Sequence, residues 1–119
     1  ERESRDMMRD GDRIDHMLSF TRRCIEVLDG VDKAQFLDSV DKQESLELNF
    51  LHLGEAAARV SEEVKLAHEE IPWHKMTGLR NMLAHEYFRI NPVVLFETVK
   101  TSFPDLEQQL VALQKEFPL

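Results

Sequence analysis

The stretch "LELNFLHLGEAAARV", residues 46–60, decides the fold. Leu46, Phe50, Leu53, Ala57 and Val60 recur at three- and four-residue intervals, which is the spacing of one face of an α-helix. Leu48 and Leu51 are expected to broaden that face. The spacing predicts a long helix from about Asp41 to Val64, and an apolar arc this wide belongs at the centre of a bundle. Gly54 lies inside it, where glycine costs about 1 kcal/mol relative to alanine. A close approach by a neighbouring helix would account for that cost.

Working outward, an earlier helix is expected from about Arg5 to Leu28, with Ile14, Leu18, Ile25 and Leu28 as its apolar stripe and Gly30 as the residue that ends it. A short turn through Val31 to Phe36 joins the two. Downstream, Pro72 opens a third helix, and Asn91 followed by Pro92 caps and opens a fourth. Val94, Leu95 and Val99 form the apolar face of this fourth helix. Pro104 is expected to kink or restart it, and Leu106, Leu110 and Leu113 carry the final segment. No alternating strand pattern, internal repeat or linker occurs. The expectation is an all-α, antiparallel bundle of four to five helices, with residues 1–119 as a single domain.

A hydrophobic fraction of 42 % can supply a core, so a chain disordered throughout is not expected. Membrane association is not expected, because there is no apolar run of the roughly 20 residues that spanning requires. The opening "ERESRDMMRDGDR" alternates charge instead of forming the apolar centre of a signal peptide. The chain begins at Glu1, which leaves a removed leader open, and a cytoplasmic location is expected. The single Cys24 has no disulfide partner in the chain and cannot build a zinc site alone, so it reads as a small buried residue of the first helix.

The net charge of −8 argues against nucleic-acid binding over the whole surface. The charge is uneven, however. Between Ile71 and Asn91, Lys75, Arg80 and Arg89 face only Glu86, a local excess of +2 in an otherwise strongly acidic chain.

That basic window holds "GLRNMLAHEYF", residues 78–88. On a helical wheel at about 100° per residue, Met76, Leu79, Met82 and Leu83 share the core side, while Asn81 and His85 lie as i, i+4 neighbours on a polar flank. Arg80 and His85 are not stacked on a regular helix, yet the reach of arginine lets both converge on one phosphate. Cleaving RNA through its 2′-hydroxyl needs a base, an acid and a stabiliser of phosphorane charge. Histidine suits the first two tasks near neutral pH. The cationic planar fork of arginine suits the third. One histidine cannot be acid and base in the same step, which invites a second copy across a twofold axis.

The plainer readings stand beside this one. An Arg–His pair on a helix flank is commonly structural or solvated, and a tyrosine such as Tyr87 commonly sits at a core edge with its hydroxyl outward. His16, His52, His68 and His74 have no metal-ligand spacing and read as surface or cap residues, so no metal site is expected. Met7, Met8, Met17, Met76 and Met82 read as core or gap-fillers.

The segment "RNMLAHEY" has the form R-x4-H-x-Y and resembles the motif of HEPN-domain proteins, specifically the HepT-like toxin branch. "LHLGEAAARVSEE", "IPWHKMTGLRNMLAHEYF", "INPVVLFETV" and "PDLEQQL" are similar to that branch in order and spacing, from about Asp6 to Leu113. The resemblance implies a helical-bundle homodimer that cleaves RNA, whether tRNA or mRNA, without metal or other cofactor. It implies the toxin half of a type VII-like toxin–antitoxin system, paired with an MntA-like minimal nucleotidyltransferase as antitoxin. It assigns catalysis to Arg80 and His85, support to Asn81, and nucleotidylation to Tyr87, where an O-linked AMP would silence the site. Two positions depart from the pattern. Glu86 stands between the histidine and the tyrosine, where a small residue is frequent in relatives, and Phe96 stands where tryptophan is frequent. Two alternatives remain: a non-catalytic HEPN subunit that binds a nucleotidyltransferase, and a structural helical adaptor.

Overall fold

A computed structural model describes residues 2–85 and 91–117, with side chains described over 9–81 and 91–117. Among the described residues there are six helices and no strand. They are α1 (Arg2–Val27), α2 (Lys33–Leu37), α3 (Val40–Ala58), α4 (Glu62–Ala67), α5 (Trp73–His85) and α6 (Pro92–Gln114). The all-α expectation holds, and its count of four to five helices is corrected to six. The extra two are short helices that leave little periodicity to read.

Each long helix begins or ends where its local chemistry requires. α1 gives way to a turn over 28–30, in which Gly30 adopts φ 69, a left-handed conformation that glycine enters without steric cost. The Leu28 carbonyl accepts from the Val31 N–H at 3.0 Å and from the Lys100 ammonium at 2.9 Å, which ties α6 to the end of α1. Asp32 and Gln35 form a capping box that starts α2 inside the expected turn. Asn91 caps α6 as expected, its side chain accepting from the Val93 N–H at 2.9 Å, with Pro92 in the first turn.

α3 occupies the centre, packed on α1 and α5 and touching α2 and α6. Leu46, Phe50, Leu53, Ala57 and Val60 are all buried, as their spacing requires. Leu48 corrects the expected breadth of that face. Two residues beyond Leu46 is about 200° around the helix, and Leu48 points to solvent. Val94 is likewise exposed, whereas Leu95 and Val99 are buried. Helix α3 also stops earlier than expected. Ser61 caps α4, its hydroxyl accepting from the Val64 N–H. The Asp10 carboxylate accepts from the Ser61 N–H at 2.9 Å and from its hydroxyl at 2.8 Å, tying this break to α1.

α6 does not restart at Pro104. It runs unbroken to Gln114, with Pro104 itself exposed. Proline removes one internal hydrogen bond. Phe103, Leu106, Leu110 and Leu113 are buried on either side of it, and their packing holds the helix together. Cys24 is fully buried, and desolvation pushes its thiol up to about 12, which leaves it protonated and unreactive near neutral pH. Met17 and Met76 are in the core; the side chains of Met7, Met8 and Met82 lie outside the described residues.

Candidate functional site

α5 carries the first part of the motif. Pro72 and Trp73 set its start: the Met76 N–H donates to the Pro72 carbonyl, and the Trp73 indole N–H donates to the His68 carbonyl at 2.9 Å. With Trp73 and Met76 buried against the core, the orientation of α5 is fixed, and with it the positions of Arg80 and Asn81. Asn81 is exposed. His85 is the last residue of the helix, about 7.5 Å further along the axis than Arg80. The His85 side chain and all of Tyr87 and Glu86 lie outside the described residues.

The crossing of α5 over α3 is unusually close, and Gly54 permits it. A Cβ at Gly54 would stand 2.3 Å from the Arg80 Cβ and 2.6 Å from the Met76 carbonyl oxygen. The close helix–helix approach expected from the glycine is therefore present, and it is Arg80 that occupies the space. Its aliphatic stem lies on the α3 backbone while its head reaches the edge of the helix, a division typical of arginine.

The guanidinium is incompletely satisfied there. Arg80 Nη1 lies 3.7 Å from Glu55 Oε1, an ion pair longer than a hydrogen bond, in which both side chains are partly open to water. Its Nε is buried without a hydrogen-bond partner among the described residues. A buried donor lacking a partner is costly, of order 1–3 kcal/mol. The part of the head that is open to water, in a side chain 27 % exposed, can offer donors to an incoming anion, and the fork geometry favours a phosphate or carboxylate.

Periodicity and motif do not single out Glu55 as part of this site, although the signal is adjacent to it. If Gly54 marks where another helix crosses, the polar residue beside it stands at the edge of that crossing. The histidines outside the motif fall as expected: His68 is the C-cap of α4, 3.2 Å from Glu116, and His16, His52 and His74 are exposed.

Residues 17–113 match the family described as "Ribonuclease HepT-like". The "Putative RNase TTE0752" of Caldanaerobacter subterraneus subsp. tengcongensis is 30 % identical over 104 residues, covering 87 % of this chain and 93 % of that protein. The "Probable ribonuclease HepT" of Thermococcus cleftensis is 38 % identical over 63 residues, covering 53 % of this chain and 57 % of that protein. No solved structure matches. The chain belongs to the HepT-like ribonuclease family.

Proposed function

We propose that this protein is a metal-independent endoribonuclease that attacks the phosphodiester through the neighbouring 2′-hydroxyl. The observation that carries the reading is the unsatisfied Arg80 guanidinium, held at a helix edge one and a half turns before His85 in a HepT-like ribonuclease. In this mechanism Arg80 grips the non-bridging oxygens and offsets the charge that develops on the phosphorane. The imidazole of His85 takes the 2′-hydroxyl proton, and the second copy's His85 protonates the leaving 5′-oxygen. A twofold homodimer supplies that second imidazole, and the products are a 2′,3′-cyclic phosphate and a free 5′-hydroxyl. Exposed Asn81, four residues before His85, orients the ring.

The reading extends to control. The chain is the toxin of a toxin–antitoxin pair, and an MntA-like nucleotidyltransferase transfers AMP to the Tyr87 hydroxyl. The added phosphate then competes for Arg80 and obstructs the site.

Purified protein is expected to cut RNA in EDTA, leaving 2′,3′-cyclic ends. Arg80→Ala should lower the rate roughly 100- to 1,000-fold, and His85→Ala by a comparable factor, with melting curves close to the parent. Undiminished cutting by both variants would remove the site. Incubation with the nucleotidyltransferase and ATP should add AMP mass to the parent and not to Tyr87→Phe; equal labelling of the two would place the modification elsewhere.

The Glu55–Arg80 contact favours a second reading. Paired this way, Arg80 braces α5 on α3, and the chain is a non-catalytic subunit that binds a nucleotidyltransferase. Protein that never cuts RNA yet binds that partner tightly would select it.

A further inference from the structure

The exposed side of the α1–α3 contact holds a cleft that the motif does not include. Asp10 bonds to Ser61, and Phe20 stacks on His52, with ring centroids 5.1 Å apart and planes 28° apart. As numbering rises along α1, the facing residue on α3 falls, so the two helices run antiparallel here. That register places Arg13 with Arg59 at one end of the cleft, Phe20 with His52 at the other, and His16 and Glu55 between them. These residues and Ala56 line a cavity of about 290 Å³, at the small end of ligand-site volumes, which run to roughly 300–1,000 Å³.

The two ends differ in chemistry. Neither Arg13 nor Arg59 forms an ion pair with a described carboxylate. Asp10, about one turn before Arg13 on α1, is buried and committed to Ser61. At the far end His52 is exposed and backed by half-buried Phe20, which is itself covered by the Arg23 guanidinium at 5.5 Å. Seven residues of helix separate Arg13 from Phe20, about 10 Å. Between the two ends, the carboxylate of Glu55 is turned toward Arg80. Glu55 thus links the cleft to the guanidinium assigned to the scissile phosphate, and the lining sets two arginines against that one carboxylate in a chain of net charge −8.

We propose that this cleft is a subsite for the RNA strand flanking the cut, with Arg13 and Arg59 holding a phosphate and His52, backed by Phe20, stacking on a base. The inference rests on the ribonuclease reading above and gives its substrate a path across the protein. Cations that track the backbone, together with an aromatic face that accepts any base, are the means by which proteins hold single strands.

The test is fluorescence anisotropy with a labelled single-stranded RNA that carries 2′-O-methyl groups throughout, so that it binds without being cut. The double variant Arg13→Ala/Arg59→Ala is expected to bind about tenfold more weakly. Its log–log salt dependence should flatten by about 0.7, the amount for one phosphate charge that is no longer neutralised on a single strand. Arg13→Lys/Arg59→Lys should recover most of the affinity. His52→Ala should weaken binding about fivefold or more. Thermal melting checks the fold, and exposed Arg59→Ala alone serves if the double variant melts early.

If the parent binds and the double variant binds equally well, the subsite is wrong and the ribonuclease reading survives. If the parent neither binds nor cuts RNA, both fall together. A double variant that loses AMP binding but keeps RNA binding would make the cleft a mononucleotide site. One that loses only the nucleotidyltransferase would make it a protein contact. Either result overturns the proposal.

Discussion

Two regions meet α3 on opposite terms. On the side of α1, α2 and α6, Phe36, Leu46, Leu95 and Leu110 are fully buried, with Phe36 set against Phe96 at 5.7 Å and Phe50 stacked on Phe103 at 5.1 Å. The polar groups drawn into that region have partners: the Thr21 hydroxyl donates to the Met17 carbonyl, and the Gln43 amide donates to the Phe36 and Leu37 carbonyls at the end of α2. On the side of α5, the closest contact is made by a glycine without a side chain and an arginine whose Nε has no partner among the described residues. The first region lowers the free energy of the fold. The second leaves binding capacity unused in the fold, as ligand sites do when they are shaped for something other than the protein itself.

Three substitutions can break or sharpen that contrast. Phe36→Ala should have the largest effect, about 3–5 kcal/mol of stability for a truncated core aromatic. That corresponds to a fall in Tm of roughly 12–20 °C for a chain of this size. A loss under about 1 kcal/mol in denaturant titration would mean that the α2 end is not part of the cooperative core.

Gly54→Ala comes next. Alanine gains about 1 kcal/mol of helix propensity, but its methyl meets the Met76 backbone, which cannot rotate away. A net loss of about 1–3 kcal/mol is expected, accompanied by lower RNA cleavage because α5 must shift and carry Arg80 with it. A variant at parental stability and activity would show that the α3–α5 spacing does not govern the site.

Gly78→Ala is the smallest effect and the control. It lies in the same helix as Arg80, and a Cβ there meets nothing within 4 Å. It should raise stability by roughly 0.4–1 kcal/mol through propensity and a less entropic unfolded chain. The two glycine substitutions should thus differ in sign; if both destabilise, close approach is not the reason for Gly54.

Much of the fold is legible residue by residue. The α3 stripe, the Gly30 cap, the Asn91–Pro92 start and the buried Cys24 follow from periodicity and cap chemistry that act within one or two turns. The departures share a cause. Leu48 and Val94 are apolar enough for a core but lie off the buried stripe of their helices. Pro104 has a breaker's chemistry, yet flanking core residues outweigh its missing hydrogen bond. Ser61 sits inside an apparently continuous helical pattern, although serine before two glutamates is a start signal, and a carboxylate from α1 secures the break. The motif on α5 is legible as chemistry, whereas the surroundings of Arg80 are not.

By itself the sequence determined the helical class, the Gly30 and Asn91 caps, the central role of α3 and the placing of Arg80, Asn81 and His85 on one helix. These are short-range matters of propensity, spacing and donor satisfaction. Only the tertiary structure decided that Glu55 faces Arg80, and that Arg13 and Phe20 of one helix share a cleft with Arg59 and His52 of another. Such pairings depend on the antiparallel register and closeness of packed helices, which arise from the summed burial of many side chains and not from the neighbours of any one residue.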